Sequence, residues 1–183
     1  MIRLFAIFAL AILALPAAAQ DGCPALPDQS ALKDEIYGEL RIARDQTEAR
    51  FLNDRLWTLW LSAPDAHAQG LLNEGTGRIR YGDYGGAAAA LTALIDYCPD
   101  YAEGYNQRAF AAFLSGDFES ALSDLDLALE RDPRHLGALT GKARTLINLG
   151  RDDEGQIVLR DALRLNRWLG ERALLTGPME EEI

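Results

Sequence analysis

The chain has 183 residues, which is enough for one domain of ordinary size. Its 49% hydrophobic and 25% charged residues are the balance of a folded protein and exclude a disordered chain. With 28 acidic against 18 basic residues, the formal net charge is −10. This acidity argues against partners such as nucleic acid, whose phosphates select positive surfaces, and against binding to an anionic membrane surface.

The N-terminus has the three-part layout of a secretory signal peptide. A positive start at Arg3 precedes twelve apolar residues from Leu4 to Leu15, and small residues follow up to Ala19. We therefore expect cleavage between Ala19 and Gln20, which removes residues 1–19 and leaves a periplasmic protein that is not inserted in a membrane. An uncleaved membrane anchor is the alternative, although the apolar run is shorter than the roughly 20 residues of a membrane span.

Two helices are predicted upstream of the main pattern of the chain, as a degenerate pair that has the layout of a further repeat unit but lacks the glycine at its turn. Residues 20–29 form a lead segment, and residues 30–66 then hold a helix from Ser30 to about Ala43 and another from Thr47 to about Ser62, capped by Asp45 or Thr47. The second helix carries apolar residues at helical spacing that are expected to face a neighbouring helix, namely Leu52, Leu56 and Leu59.

A repeat of 34 residues organises the rest of the chain. Gly82, Gly116 and Gly150 are 34 residues apart, and so are Pro99 and Pro133. Each period is interpreted as two helices, because glycine takes the left-handed conformation that ends the first helix and proline disfavours continuation of the second. An aspartate after the glycine is expected to cap the second helix in the first two units, at Asp83 and Asp117. The units cover residues 68–101, 102–135 and 136–169.

The second unit carries the most complete set of patterned residues. Tyr105 is an aromatic residue near its start, Ala109 is a small residue at its eighth position, and Gly116-Asp117-Phe118 is a Gly-Asp-aromatic turn. The later positions of the pattern are occupied by Ala121, Leu125, Ala128 and Pro133. This pattern resembles the tetratricopeptide repeat, and the chain is similar to small exported bacterial members of that family. The resemblance implies an all-α solenoid of stacked helix pairs that binds another protein or peptide and uses no cofactor.

The third unit departs from the pattern at its end. Arg167 stands where the earlier units have proline, so the last helix either runs on through Trp168 and Leu169 or gives way to a short separate helix that ends near Leu175. Residues 170–183 are predicted to be a capping segment and an acidic tail. The residues expected to cover the apolar face of the last helix are Trp168, Leu169 and Leu174.

Two cysteines occur in the chain, Cys23 and Cys98. An even count in an exported protein favours one disulfide between them, and two unpaired thiols are the alternative.

Residues suited to chemistry are sparse. His67 and His135 lie near predicted turns and are expected to be exposed polar residues, and neither has the clustered partners that a metal site needs. No Gly-x-Ser-x-Gly elbow or phosphate-binding Gly-Lys-Ser/Thr motif is present. The sequence therefore predicts no catalytic, cofactor-binding or metal-binding residue, and an enzyme with an unrecognised site is the least favoured hypothesis.

The resemblance also implies where a partner binds. In the family, the first helices of the units line a concave groove, and fixed positions of each unit face it. We expect Asn106 and Arg144 to matter for binding and little for folding, whereas Phe110 and Phe113 either contact the partner or only pack between repeats. One of these groove positions is the second position of each unit, which is Glu103 in the second unit and Gly137 in the third. The candidate groove residues are Gln69, Leu72, Arg80, Asn106, Phe110, Phe113, Thr140, Arg144 and Asn148.

The leading functional hypothesis is a non-enzymatic module of the cell envelope that holds a protein or peptide in this groove. The alternative is an architectural subunit of an envelope complex, joined through the exposed end of the stack. The sequence identifies neither the partner nor the oligomeric state.

Overall fold

The computed structural model describes residues 22–178, and over that range every regular element is helical. The all-α solenoid predicted from the repeat is confirmed. The predicted cleavage site between Ala19 and Gln20 lies outside the described residues, as does the acidic tail from Met179 onward. The elements are α1 (Ser30–Ile42), α2 (Gln46–Trp60), α3 (Ala66–Arg80), α4 (Tyr84–Tyr97), α5 (Ala102–Ser115), α6 (Phe118–Arg131), α7 (Leu136–Asn148), α8 (Asp152–Leu165) and a 3-10 helix (Gly170–Leu174).

Three helical hairpins, α3–α4, α5–α6 and α7–α8, form the stack. The turn of each hairpin holds its repeated glycine in the left-handed conformation, with φ of 78° at Gly82, 85° at Gly116 and 73° at Gly150. Asp83 and Asp117 cap the following helices, since each carboxylate accepts a hydrogen bond from the backbone N–H three residues further on. The predicted turns and caps are therefore confirmed.

The third hairpin ends without a proline. Helix α8 stops at Leu165, and the side chain of Asn166 accepts a hydrogen bond from the N–H of Trp168 at 3.0 Å. This local bond turns the chain as proline does in the earlier units. The prediction of a continuous helix through Leu169 is therefore wrong. The alternative, a short separate helix, forms instead from Gly170 to Leu174.

The capping residues differ partly from those predicted. Trp168 and Leu169 pack as expected, against the core formed by α1, α2 and Leu136. Leu174 does not, because it is 41% exposed. Leu175 takes its place and packs against the core between α7 and α8.

The N-terminal hairpin, α1–α2, does not extend the stack in chain order. Its apolar stripe is buried as predicted, but the neighbour is the third repeat and not the first: Ile36, Leu40 and Leu56 share a core with Leu136. Partly buried Leu165 also packs there. The chain therefore folds back, and its first two helices lie against the last two.

A disulfide joins the lead segment to the first repeat. Cys23 and Cys98 are bonded, with their Cα atoms 5.1 Å apart, as predicted from the cysteine count. Beside it, the hydroxyl of Tyr97 donates a hydrogen bond to the carboxylate of Asp65 at 2.7 Å. Within residues 22–178, no helix combines the length and the hydropathy that crossing a bilayer requires.

Candidate binding groove

The first helices of the three repeats, α3, α5 and α7, line one groove made of three adjoining cavities. The central cavity lies between α5 and α7 and has a volume of about 350 Å³. A cavity of about 430 Å³ towards α3 shares Gln107 and Phe110 with it. A third of about 300 Å³, towards α2, shares Trp57 and Thr140. Because neighbouring cavities share wall residues, the three lie next to one another along this face.

The structure brings the predicted groove residues together, with one exception. The central cavity is lined by Asn106, Phe110, Phe113, Thr140 and Arg144, and the cavity towards α3 by Gln69, Leu72, Arg80 and again Phe110. Asn148 lies outside all three, and its amide donates a hydrogen bond to the backbone oxygen of Arg144 at 2.8 Å. Leu72 is only 1% exposed, so it forms the floor of the groove and belongs to the core of the first repeat.

Two phenylalanines form the apolar part of the central cavity. Phe110 is 47% exposed, so packing between repeats does not account for it. Phe113 lies edge-on against Phe118 with ring centroids 5.3 Å apart, and the guanidinium of Arg144 lies 5.4 Å from its ring centroid. An aromatic surface with a cation beside it is suited to an apolar side chain that carries a carboxylate nearby.

Trp57 of α2 forms a wall of the central cavity, although it lies outside the repeats. A Cβ atom on Gly137 of α7 would come within 2.7 Å of the Trp57 ring, so only glycine leaves room for this contact. Through Trp57, helix α2 therefore reaches the groove at the position where the second unit carries Glu103. Trp57 is not among the groove residues predicted from the sequence. The one sequence feature that points to it is Gly137, a glycine at a groove position of the third unit.

A buried polar cluster lies under this contact. His135 is fully buried, and its Nδ1 accepts a hydrogen bond from the N–H of Ala138. The ring proton is therefore on Nε2, which donates to the carboxylate of Glu103 at 2.8 Å. The same carboxylate accepts bonds from the amides of Asn106 at 3.0 Å and Gln107 at 2.5 Å.

The cluster corrects two expectations. His135 is not an exposed polar residue, because Trp60 and Trp57 of α2 cover its ring. His67, by contrast, is exposed as expected. Asn106 lines the groove as predicted but is only 6% exposed and holds a buried carboxylate, so it has a structural role that the sequence analysis did not expect.

The N-terminal hairpin is tied to the repeats by polar contacts around this cluster. The carboxylate of Asp132 accepts hydrogen bonds from Lys33 Nζ at 2.6 Å and from Trp60 Nε1 at 3.0 Å. Burial favours the neutral acid, but the Lys33 ammonium and these hydrogen bonds outweigh it and hold the pKa of Asp132 below its usual range. The hydroxyl of Tyr101 donates to the backbone oxygen of Trp60 at 2.5 Å, and burial raises the pKa of Tyr101.

The geometry of stacked 34-residue hairpins agrees with the comparison with known proteins. A family model for the tetratricopeptide repeat matches residues 112–167. A TPR repeat-containing protein of Rhizobium etli is 31% identical over 119 residues, which is 65% of this chain and 58% of the relative. The chain therefore contains tetratricopeptide repeats. A tetratricopeptide repeat protein 36 homolog of Nematostella vectensis is 39% identical over 70 residues, and these are 38% of each chain.

Solved tetratricopeptide-repeat (TPR) domains have the same fold. The TPR domain of Arabidopsis OM64 is 20% identical with a TM-score of 0.58, and the match covers 64% of this chain and 97% of that domain. The TPR2B domain of yeast Sti1, in its pHsp70 complex, is 25% identical with a TM-score of 0.54, and the match covers 60% of this chain and 90% of that one. The chain spans less than two thirds of the two curated relatives, so their lengths hold parts that it does not match.

The TPR groove also carries polar groups that are weakly paired or unpaired. The guanidinium of Arg144 is 3.8 Å from the carboxylate of Glu171, which is too long for a hydrogen bond. The indole N–H of Trp168, beside the cavity towards α2, is buried and has no hydrogen-bond partner among the described residues. The half-exposed guanidinium of Arg144 is therefore available to a ligand in the groove, whereas the buried indole N–H of Trp168 is not.

Proposed function

We propose that this chain is a non-enzymatic module that holds a partner protein or peptide in its TPR groove, in the bacterial cell envelope. The observation that carries the proposal is the groove of adjoining cavities, in which Phe110 is half exposed beside a central cavity of about 350 Å³. A cavity of this size lies within the usual range for ligand pockets, roughly 300–1,000 Å³. The TPR2B domain of Sti1, solved as a pHsp70 complex, supports binding to a protein or peptide on this fold.

Crosslinking in living cells tests the groove. A photoreactive benzoyl-phenylalanine in place of Phe110 is expected to form an adduct with a specific partner on illumination. The matched control is the same residue in place of Tyr81, which is 88% exposed and lies outside the groove. An adduct of equal yield from both positions, or none from position 110, would contradict binding in the groove.

The envelope location rests on the signal peptide predicted over residues 1–19, and a disulfide suits an oxidising compartment. The test is the intact mass of the protein recovered from the periplasm of a bacterial host. A mass that begins at Gln20 is expected. A mass that retains residues 1–19, found in the membrane fraction, would replace the soluble location with an anchored one.

The architectural alternative has one observation in its favour. Ile157, on the last helix of the stack, is 61% exposed. A benzoyl-phenylalanine at position 157 tests it directly. An adduct from position 157 together with none from position 110 would favour assembly through the end of the stack over binding in the groove.

A further inference from the structure

The N-terminal hairpin, α1–α2, is held to the first repeat at both of its ends. The disulfide from Cys23 to Cys98 holds one end, and the connection from α2 to α3, residues 61–65, holds the other. The two ends lie close together, because the hydroxyl of Tyr97, the neighbour of Cys98, is 2.7 Å from the carboxylate of Asp65. The hairpin is therefore an excursion of the chain that leaves the first repeat and returns to it at one place.

The lead segment between Cys23 and α1 depends on the disulfide for its position. Within residues 22–178, the hydrogen bonds of residues 24–29 go only to Cys23 and to the first turn of α1. Leu26 is 40% exposed, and a cavity of about 290 Å³ separates the segment from Trp60 and Tyr101. Neither hydrogen bonds nor close packing hold this segment to the repeats, so the covalent bond at Cys23 is what keeps it in place.

The hairpin can separate from the repeats as a unit, because most of its core is its own. Of the buried residues in the core around α1 and α2, only Leu136 comes from the repeats, within the part of the chain that the structure describes. The other large contact is the ring of Trp60 on His135. The ion pair of Arg134 with Asp34 is exposed on both sides, and such pairs contribute little. With so few contacts, the ties at the two ends of the hairpin decide how firmly it stays docked.

We propose that the disulfide between Cys23 and Cys98 is a redox-controlled latch for the N-terminal hairpin. With the bond formed, an undocked hairpin is confined at both ends and loses little freedom when it docks; with the bond reduced, it is held only through residues 61–65 and gains freedom on leaving the third repeat. Release takes Trp57 away from the wall of the central cavity and so opens the groove at that side. The consequence for binding rests on the proposed function.

A dithiol reductant opens the latch by thiol–disulfide exchange. Cys23 is partly exposed whereas Cys98 is only 1% exposed, so the thiolate of the reductant attacks Sγ of Cys23. A mixed disulfide forms, and Cys98 leaves as a thiolate and takes up a proton. The second thiol of the reductant then displaces Cys23, which is protonated in turn, and the reductant ends as a disulfide. Two electrons and two protons pass to the chain, and an oxidant that forms the bond again closes the latch.

Hydrogen–deuterium exchange on the purified exported chain, with and without dithiothreitol, tests the latch. Amides of α1 and α2 are expected to exchange about tenfold or more faster after reduction, and those of α5 and α6 to change by less than about twofold. Tryptophan fluorescence is a second measurement, because the three tryptophans, Trp57, Trp60 and Trp168, all lie in the core around the hairpin. Their emission should move to longer wavelength on reduction while circular dichroism shows that the repeats remain helical.

The matched control is Cys23→Ser/Cys98→Ser, which should exchange like the reduced chain whether or not dithiothreitol is present. If this variant does not fold, reduction of the folded wild type still decides the question. Faster exchange of all helices alike would show that the bond stabilises the whole fold, and unchanged exchange in α1 and α2 would show that the hairpin stays docked without it. Either result overturns the latch and leaves binding in the groove untouched, since crosslinking from position 110 decides that separately.

Discussion

The imidazole of His135 lies flat against the indole of Trp60, with ring centroids 4.0 Å apart and an interplanar angle of 19°. The two residues are 75 positions apart in the chain, at the end of α2 and directly before α7. This stack covers the buried Glu103 carboxylate and joins the N-terminal hairpin to the third repeat.

Replacing Trp60 with Ala is expected to lower the free energy of unfolding by about 3–5 kcal/mol, as for large aromatic residues in cores. The change removes the stacked ring and the hydrogen bond from Nε1 to Asp132. Urea denaturation measures the loss, and Trp60→Phe is the control that keeps an aromatic ring and should lose less. A Trp60→Ala protein within about 0.5 kcal/mol of wild type would mean that the hairpin is not held by this contact.

Asn106 and Arg144 line the same cavity, but replacing each with Ala is expected to change the stability of the protein by different amounts. Asn106→Ala takes a donor from the buried Glu103 carboxylate and should cost about 1–3 kcal/mol. Arg144→Ala removes a half-exposed side chain without a short hydrogen bond and should change stability by about 0.5 kcal/mol or less. Thermal melts of both variants are the measurement. Equal destabilisation of the two would contradict the structural role assigned to Asn106.

Reducing the disulfide between Cys23 and Cys98 is expected to destabilise the chain by about 4 kcal/mol in the chain-entropy model, since the bond closes a loop with a sequence separation of 75. The measurement is urea unfolding with and without dithiothreitol. The Cys23→Ser/Cys98→Ser variant is the control, because its stability should not respond to the reductant. Two thiols labelled per denatured, unreduced chain would show that the bond is absent from the exported protein.

Lowering the pH is expected to weaken the contacts through which Asp132 holds the N-terminal hairpin to the repeats. The pKa of this carboxyl is lower in the folded state than its usual value near 3.9, so its contribution to stability is fully present above about pH 5. That contribution falls as the pH drops through the usual value and then through the lowered folded pKa. Asp132→Asn should therefore be less stable than wild type at pH 7 and show a flatter loss of stability between about pH 5 and 3. Parallel pH profiles for the two proteins would contradict this.

Ending the chain at Asn166 is expected to lower the melting temperature, because Trp168 and Leu169 pack against the core of the hairpin and the third repeat. The loss of Trp168 alone should lower the free energy of unfolding by about 3 kcal/mol. Differential scanning fluorimetry measures the melt, and binding of an apolar dye should rise. A chain ended at Pro178 is the control and should melt near the full-length value, because it retains both residues and also Leu175. A truncated protein as stable as the full chain would assign these residues to docking of a partner.

The parts of the fold that depend on neighbouring residues could be predicted from sequence. Gly116 requires a left-handed turn and Asp117 caps the helix that follows, and both effects act within a few residues. The same spacing identified Phe110 and Phe113 as groove residues, because a repeat places equivalent positions on one surface.

The position of the N-terminal hairpin could not be predicted in this way. It depends on contacts between residues far apart in sequence, such as Lys33 with Asp132 and Tyr37 with Arg134, which no periodicity records. His135 was misjudged for the same reason: it lies at a turn, where exposure is usual, and only Trp60 of α2 buries it.

A solenoid whose repeats contact only their neighbours can stretch and bend along its length. Here the disulfide at Cys98 holds the lead segment to the first repeat, and α1–α2 bind the third, so the N-terminal part of the chain acts as a strut between the two ends of the stack. The strut sets the distance between Arg80 and Arg144 before any ligand arrives. Because these ties limit changes in the width of the groove, association is expected to lose less conformational entropy than it would on an open stack.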